Sequence, residues 1–458
     1  MFFCKQIRSI RKFLIVVHRL KPALVSGFQI FTDTPEGAKP LFLRKDLFLD
    51  GKKAQAPRLI SYSRLASWYV FVLAFLYFFH FSFLGEYTSH HIAQKIQFMT
   101  REWLGATPPL HPRIKIYAHD DRAVHEFKRA DISLSMWGTI VETISRSGPS
   151  MIIIDKKFGV INDQSEADQF IEKLNTSAPV LVGGFTLAKG INDIFFAESL
   201  LNESRKEYDL SLLTDNNLEK ADRLDILDHH GYGPNRKFSD MFFRVGHINY
   251  DFFGKIEPFR RLTKDIIIPH LTLLTADKLK IEHRKLMVED YPVYLDRENH
   301  VIVNFPAKND LLSNTLSIYP VVAKGLKGLK LNLVKKDDIV IILPLFFTGN
   351  ADMGATPIGD IPRGYIIVSL INSVLTKNWL RPVNFDELFI WGATTLGAAI
   401  GLYFGPVSFW VILTSLCLFL FALAMALFSY LGIVTPWFMI VLSTMLGGVV
   451  FFFACCCI

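Results

Sequence analysis

Acidic residues follow two short apolar runs in the first half of the chain. Asp120 and Asp121 come directly after the run 113–119, and Asp155 comes directly after the run 151–154. Carboxylates that converge on one crevice could bind a cation or a polar ligand. They could also cap the helices that follow, or accept hydrogen bonds from loop amides. These residues therefore suggest either a recognition site or a set of helix caps, with capping the simpler role.

The run 151–154 reads Met-Ile-Ile-Ile, and four consecutive bulky side chains cannot alternate between core and solvent. Such a run suits a strand that is buried on both faces. Helix-patterned segments flank it, and further strand-like runs occur at 178–185 and 337–343. This order predicts an α/β domain with a mainly parallel sheet flanked by helices. Sequential strands are usually neighbours, and ligands bind at strand carboxyl ends, so we expect Asp120 and Asp155 to lie together.

The composition indicates a membrane protein. Half of the 458 residues are hydrophobic, and the mean hydropathy is +0.28. The predicted membrane-spanning helices are Trp68–Leu84, Leu388–Phe404, Val407–Phe428 and Ile433–Cys457. Residues 1–66 hold thirteen Lys or Arg against four acids, so the positive-inside rule places this arm in the cytoplasm.

These features predict four parts of the chain. Residues 1–66 are a basic cytoplasmic arm, 67–85 a transmembrane helix, 86–386 an extracytoplasmic domain and 387–458 three transmembrane helices. The predicted fold class is therefore an extracytoplasmic α/β domain plus four transmembrane α-helices. With four spans both termini lie in the cytoplasm, and the lipid bilayer is the partner of the apolar helices.

Several classes of function lack support in the sequence. No cysteine falls between Gly85 and Asp386, and the adjacent histidines at 90–91 and 229–230 lack zinc-ligand spacing. The chain has no Gly-x-Ser-x-Gly elbow and no phosphate-binding loop. We therefore predict no enzyme activity, no metal and no cofactor. The excess basic charge belongs to the N-terminal arm, so no nucleic-acid partner is predicted either.

Taken in order, a set of short motifs resembles the CHASE2 family of bacterial extracytoplasmic sensor domains, from roughly Ile114 to the C-terminus. The motifs are Ile116–Asp121, Met151–Phe158, Asp168 where the family opens a helix, Gly246–Asn249, Asp251–Ile256, Val301–Phe305, Leu326–Gly328, Ile339–Leu343 and Asp352–Pro357. The family also has one helix before the domain and three after it. Two positions depart from the family pattern. Pro344 or Leu345 replaces a glycine, and Val368-Ser369 replaces a His-Ala pair, so a signal site that used this histidine would be lost or changed.

The resemblance implies a multi-pass sensor in the bacterial inner membrane, with residues 86–386 in the periplasm. It also suggests ligand-binding residues, namely Asp120, Asp121, Asp155, Asp168, His247, Asn249, Asp352 and Thr356. The family's cytoplasmic output domain is missing from the sequence, so the resemblance implies a separate protein partner that carries the output.

Two questions stay open at this stage. The pair Gly397-x-x-x-Gly401 permits close helix approach, either within one chain or in a homo-oligomer. The alternative function is a structural or assembly subunit of a membrane complex. In that case the same domain docks a periplasmic protein and senses no small molecule.

Overall fold

The computed structural model describes most of the chain after residue 61. The described residues are 62–128, 132–156, 158, 163–188, 229–232, 244–250, 255–263, 266–276, 278–282, 285–297, 299–345 and 353–456. They form two compact units. The α/β unit comprises His90–Phe385 and Ala422–Pro436, and the helical unit comprises the described parts of Met1–Ser89, Asp386–Phe421 and Trp437–Ile458.

The strands are β1 (Ile114–Asp120), β2 (Met151–Ile154), β3 (Val180–Ala188), β4 (His229–Tyr232), β5 (Arg244–His247), β6 (Phe259–Thr263), β7 (Ile266–Pro269), β8 (Leu279–Glu282), β9 (Lys285–Val288), β10 (Tyr291–Val293), β11 (Thr315–Ser317), β12 (Ile339–Leu345), β13 (Met353–Thr356), β14 (Gly359–Pro362), β15 (Arg381–Pro382) and β16 (Ile433–Val434). The α-helices are α1 (Tyr62–His80), α2 (Phe83–Tyr87), α3 (Ala93–Trp103), α4 (Asp121–Phe127), α5 (Leu134–Ser145), α6 (Gln164–Asn175), α7 (Lys308–Ser313), α8 (Tyr319–Gly325), α9 (Gly364–Thr376), α10 (Asp386–Tyr403), α11 (Pro406–Leu431) and α12 (Trp437–Cys456). A π-helical turn (Thr88–Ile92) joins α2 to α3, and a 3-10 turn (Leu271–Thr275) follows β7.

The central sheet has the strand order β11-β1-β12-β2-β3-β5, and all five pairings are parallel. A seventh strand, β4, pairs antiparallel with the far end of β3. The prediction of a mainly parallel α/β sheet is confirmed. The expectation that β1 and β2 are neighbours is wrong, because β12 pairs with both of them.

Helices cover both faces of the sheet, as a parallel sheet requires. One face packs against α4, α5, α6 and α8 in a cluster that includes Ile152, Ile154, Ile140 and Phe170. The other face packs against α9, where Ile153 and Ile341 share a cluster with Ile366. Neighbouring isoleucines of β2 therefore point into different layers, and all three of them are fully buried. This explains why the strand carries no polar residue.

Small β-elements complete the α/β unit. They comprise the sheet β10-β9-β8, the hairpins β6-β7 and β13-β14, and the short parallel pair β15-β16. Strand β16 lies between α11 and α12, and Arg381 and Val383 donate backbone hydrogen bonds to the carbonyls of Gly432 and Val434. The turn between the last two helices is therefore part of the α/β unit.

Two of the four predicted membrane spans correspond to helices that could cross a membrane. Among the described residues, two helices are long and apolar enough to cross a membrane, Pro406–Leu431 and Trp437–Ala454. The first predicted span is interrupted because α1 ends at His80. Ser82 then caps α2, its hydroxyl accepting from the Gly85 amide and donating to the Phe79 carbonyl. The span predicted at 388–404 corresponds to α10. This helix begins with two acids, and its mean hydropathy is too low for a membrane-spanning helix.

Small residues let α10 and α12 approach closely within the helical unit. A Cβ added to Gly397 would lie 2.1 Å from the Thr444 carbonyl oxygen, and one added to Gly401 would lie 2.4 Å from that of Gly448. The glycine pair predicted to allow close helix packing therefore packs within one chain. The structure contains a single chain, so the homo-oligomer remains a prediction.

Candidate functional site

The carboxyl ends of the parallel strands form one edge of the sheet, here called the carboxyl edge. Pairing places Asp120 of β1 opposite Leu345 of β12, and His247 of β5 opposite Gly184 of β3. Asp155 follows β2, and its amide donates to the Ile342 carbonyl at 2.9 Å. Asp120 and Asp155 are separated by one strand, a lateral distance of about 10 Å. The edge is thus a row of polar positions rather than one cluster.

The connections leave β12 differently from its two neighbours. The chain runs from β1 and β2 to helices on one face of the sheet, and from β12 to α9 on the opposite face. Diverging connections leave crevices at strand carboxyl ends, where open α/β sheets bind ligands. By this rule the expected ligand-binding position is the end of β12, with Asp120 on one side of it and Asp155 on the other. The structure therefore supplies a topological reason to regard this edge as the candidate site.

Asp120 has a structural role within the edge. Its Oδ1 accepts a hydrogen bond from the Ala123 amide at 2.9 Å, which caps α4, and another from the Ser317 hydroxyl at 2.8 Å. The second bond joins β1 to the end of β11 across the sheet. The capping role considered from the sequence is confirmed for this residue.

The segment after β2 returns to the core directly after Asp155. Phe158 is buried, and its ring contacts Trp137 and Phe170 with centroid distances of 5.6 and 5.3 Å. Lys156 lies over the Trp137 ring at 5.8 Å. The aromatic residue that follows the strand therefore anchors the turn, which holds the half-buried Asp155 at the edge.

The two other acidic candidates in this region lie on helices. Asp121 is in the first turn of α4, directly after the cap. Asp168 does not open α6, because Asp163 is its N-cap and accepts from the Ser165 and Glu166 amides. Asp168 lies one turn further on and accepts a hydrogen bond from Gln164 at 3.0 Å on the exposed face. The resemblance placed the cap five residues too late.

His247 is fully buried at the end of β5. Its ring packs edge-on against His270 at 5.0 Å, and its Nδ1 accepts from the Asn249 amide at 3.4 Å. Thr356 is buried in the β13-β14 hairpin, where its hydroxyl donates to the Gly359 carbonyl at 2.6 Å. Asp352 lies outside the described residues. His247 is four strands from Asp120, about 19 Å along the edge, so these candidates do not form one compact site.

The two departures from the family pattern have different surroundings. Val368 and Ser369 are both fully buried inside α9, where the Ser369 hydroxyl donates to the Tyr365 carbonyl. Pro344 pairs with His119 near the end of β12. The first departure therefore lies in the hydrophobic core, and the second lies at the carboxyl edge.

A polar junction that the sequence reasoning missed lies where α3 packs in the α/β unit. Arg101 is buried, and its guanidinium donates to Asn304 Oδ1 at 2.7 Å and to the Ala106 carbonyl at 3.0 Å. Asn304 in turn donates to the Asn378 carbonyl at 3.0 Å. The Phe428 ring of α11 lies 5.3 Å from the Arg101 guanidinium carbon. We call these four residues (Arg101, Asn304, Asn378 and Phe428) the Arg101 junction.

Burial lowers the pKa of Arg101 to about 10, and its guanidinium remains protonated at neutral pH. The junction connects α3, the turn after α9 and the end of α11 through one buried cation. The amphipathic sequence pattern of α3 could have indicated this junction. The buried face of the helix includes Gln94, Gln97 and Arg101. Three long polar side chains on the inward face of a helix point to a polar contact rather than to a plain apolar one.

Comparison with known proteins decides the family. The profile of the CHASE2 domain matches residues 70–404, more than two thirds of the chain. The chain belongs to the CHASE2 family. CHASE2 domains are extracytoplasmic sensory domains, which agrees with an α/β unit joined to apolar helices. No curated protein and no solved structure matched the chain. Among the described residues of this CHASE2 protein, no group of three His, Cys, Asp or Glu side chains could hold a metal ion.

Proposed function

We propose that this CHASE2 protein is a membrane-anchored sensor whose α/β unit binds a ligand or a protein at the carboxyl edge beside β12. The observation that carries this proposal is the divergence of the chain on either side of β12, between Asp120 and Asp155, because open α/β sheets bind ligands at such positions. Family membership supports the sensory role. The scheme includes no resident metal or cofactor, and a separate protein partner carries the output.

Apolar helices α11 and α12 anchor the protein in this proposal, and the α/β unit lies outside the cytoplasm. Helix α11 has 26 residues, a length of about 39 Å, against about 30 Å for the hydrocarbon core. Its end and the start of α12 are joined by β16, which pairs with β15 of the α/β unit. The turn is therefore periplasmic in this arrangement, and Gly405 before α11 lies on the cytoplasmic face. Labelling of Gly405→Cys by a membrane-impermeant thiol reagent from the periplasm would contradict it.

The Arg101 junction supports a route from the carboxyl edge to the helices. A ligand that favours one packing of the α/β unit would shift how α3, the turn after α9 and the end of α11 meet around Arg101. A ligand shifts such an equilibrium only by its differential affinity for the two packings. The route therefore requires that the proposed site beside β12 differ in shape between the two packings.

The test uses the full-length protein in lipid nanodiscs and compares its thermal unfolding with and without candidate small molecules and divalent cations. A ligand of this site raises the unfolding temperature of the native chain and stabilises the Asp155→Asn variant much less. Asp290→Asn changes an exposed carboxylate beside the β9-β10 turn and serves as the matched control. Equal stabilisation of all three proteins would place the ligand elsewhere and overturn the proposed site.

The alternative is a structural subunit that docks a periplasmic protein without sensing a small molecule. The observation that favours it is the substitution at Val368-Ser369, because these side chains are buried and offer no ligand contact. Cross-linking in cells from both faces of the membrane, followed by mass spectrometry, distinguishes the two. A stoichiometric periplasmic partner together with no stabilising small molecule supports the alternative.

A further inference from the structure

A basic and apolar loop joins α8 to β12. Residues 324–336 read Lys-Gly-Leu-Lys-Gly-Leu-Lys-Leu-Asn-Leu-Val-Lys-Lys, with five lysines, four leucines and no acid. We call this segment the lysine–leucine loop. A core-building segment would bury its leucines, and an ordinary solvated loop would not carry four of them. The occurrence of five lysines and four leucines in one loop therefore needs a physical explanation.

Three of the four leucines of the loop are exposed. Leu326 is 77% exposed, Leu329 51% and Leu333 60%. Leu331 and Val334 of the same loop are buried and pack in the core cluster that includes residues of α5 and α8. The exposed leucines therefore lie on a loop that is held against the core by its buried residues.

Hydrogen bonds also hold the loop in place. The Ser147 hydroxyl accepts from the Leu331 amide at 3.1 Å and donates to the Leu331 carbonyl at 3.2 Å. After the loop, the Asp338 carboxylate accepts from the Lys335 amide, and Arg113 donates to the Asp337 carbonyl at 2.7 Å. The exposed leucines therefore lie on an ordered surface that is available without refolding.

The lysines of the loop have no acidic partner in the described part of the chain. Lys327, Lys330, Lys335 and Lys336 are exposed, and none of them forms an ion pair with a described carboxylate. Of the two acids that follow, Asp338 uses its carboxylate to accept from the Lys335 amide, whereas Asp337 is exposed and only its backbone carbonyl accepts from Arg113. Five lysines against these two acids leave residues 324–338 with a net charge of 5 − 2 = +3 next to exposed apolar side chains.

The loop lies at the amino edge of the sheet, opposite the carboxyl edge, because it leads directly into β12. The same edge receives the end of α9, where Asn372 Oδ1 accepts from the His111 amide at 2.8 Å just before β1. Five residues after α9 comes β15, which pairs with β16 between the two candidate membrane helices. The amino edge is therefore the edge from which the chain passes to its apolar helices.

We propose that the lysine–leucine loop binds the anionic headgroup layer of the bilayer that holds these helices. Exposed leucines would enter the interface while the lysine amines contact lipid phosphates, the arrangement by which basic amphipathic segments bind membranes. The loop belongs to the edge from which the chain continues to its apolar helices, and its charge complements anionic lipid. This contact is independent of the proposed sensing site, which lies at the other edge.

The experiment uses the full-length chain with its five native cysteines replaced by serine, reconstituted in nanodiscs. Leu329→Cys carries a bimane fluorophore, and a lipid with a nitroxide on its headgroup serves as the quencher. Ser165→Cys is the matched control, because this exposed residue at the start of α6 lies at the carboxyl edge. Nanodiscs contain either phosphatidylcholine alone or an equal mixture of phosphatidylcholine and phosphatidylglycerol.

We expect the label at Leu329→Cys to lose most of its emission in the phosphatidylglycerol discs and less in phosphatidylcholine, while the label at Ser165→Cys loses little in either. Adding Lys327→Glu and Lys330→Glu should restore emission at Leu329→Cys, with an unchanged unfolding temperature to show that the fold is intact. Weak, equal quenching at both positions would overturn the proposal and favour an acidic protein as the partner of the loop. Strong quenching at Leu329→Cys that is the same in both lipid mixtures and is unchanged by Lys327→Glu and Lys330→Glu would also overturn the proposal.

Discussion

The guanidinium of Arg101 donates a 2.7 Å hydrogen bond to Asn304 Oδ1, and both residues are buried in the α/β unit. The two positions are separated by 203 residues in sequence. A buried cation is costly unless its hydrogen bonds are satisfied, so the structure around Arg101 depends on this partner. Asn304 also bonds to Asn378, which follows α9. One contact thus joins three segments that are distant in the chain.

Replacing Asn304 by Ala should destabilise the α/β unit by about 2–4 kcal/mol, because it leaves a buried guanidinium without its strongest partner. The measurement is thermal or denaturant unfolding of the full-length protein in nanodiscs. Arg113→Ala is the control, since this exposed side chain makes one hydrogen bond to the Asp337 carbonyl and should cost less than about 1 kcal/mol. Equal losses in the two variants would show that the Arg101 junction has no special structural role.

Removing the cap of α4 should also be measurable. Asp120→Ala loses the hydrogen bond to the Ala123 amide and the one to Ser317, and we expect a loss of about 1–2 kcal/mol. Glu126→Ala, an exposed carboxylate further along the same helix, keeps both bonds and should cost less than about 0.5 kcal/mol. A larger loss for Glu126→Ala would contradict the assignment of the cap.

The buried ion pair of Lys255 and Asp296, with a 2.8 Å contact, should make the stability pH-dependent. Burial raises the pKa of Asp296, but the charge and hydrogen bond of Lys255, together with His300, outweigh it and lower the pKa overall. A carboxyl whose folded pKa lies below its unfolded value of about 3.9 contributes stability above that pH. This contribution is lost as the pH falls through the folded pKa.

Asp296→Asn removes this dependence and takes from the buried Lys255 amine its carboxylate partner at 2.8 Å. At neutral pH the variant should be less stable than the native chain by about 3–5 kcal/mol. The difference should shrink below about pH 3.9, where the carboxyl of the unfolded chain takes up a proton before that of the folded chain, and it should level off below the folded pKa. Unfolding curves of both proteins between neutral and acidic pH provide the measurement. A difference that stays constant over this range would contradict the role of the ion pair.

The contact between α10 and α12 can be tested with two alanines. Gly397→Ala places a Cβ where the Thr444 carbonyl oxygen already lies, so we expect weaker packing of the two helices and a loss of about 1–3 kcal/mol. Gly392→Ala, on the same helix, meets nothing within 4 Å and should stabilise the helix by up to about 1 kcal/mol. The readout is thermal unfolding in nanodiscs, and the same sign for both variants would refute the contact.

Much of the local structure follows from the amino-acid pattern. The four apolar residues of β2 require a strand covered on both faces, and Asp120 at the end of β1 caps the helix that follows. The break at Thr435-Pro436 also separates α11 from α12 as predicted. In each case the cause lies within a few residues, in side-chain shape, hydrogen bonding or backbone restriction. Such causes are visible in a sequence.

Only the tertiary structure decided the strand order and the Arg101 junction. Strand β12 pairs with β1 and β2 although it follows them by more than 180 residues, and its apolar pattern would suit any inner position of the sheet. Arg101 would suit an exposed helix face as well as a buried one. Pairing and burial here depend on free energies summed over distant contacts, which no local pattern records. The amino-acid sequence alone indicated that Asp120 and Asp155 lie at the ends of strands. Only the fold showed that β12 lies between these two strands and separates the two carboxylates.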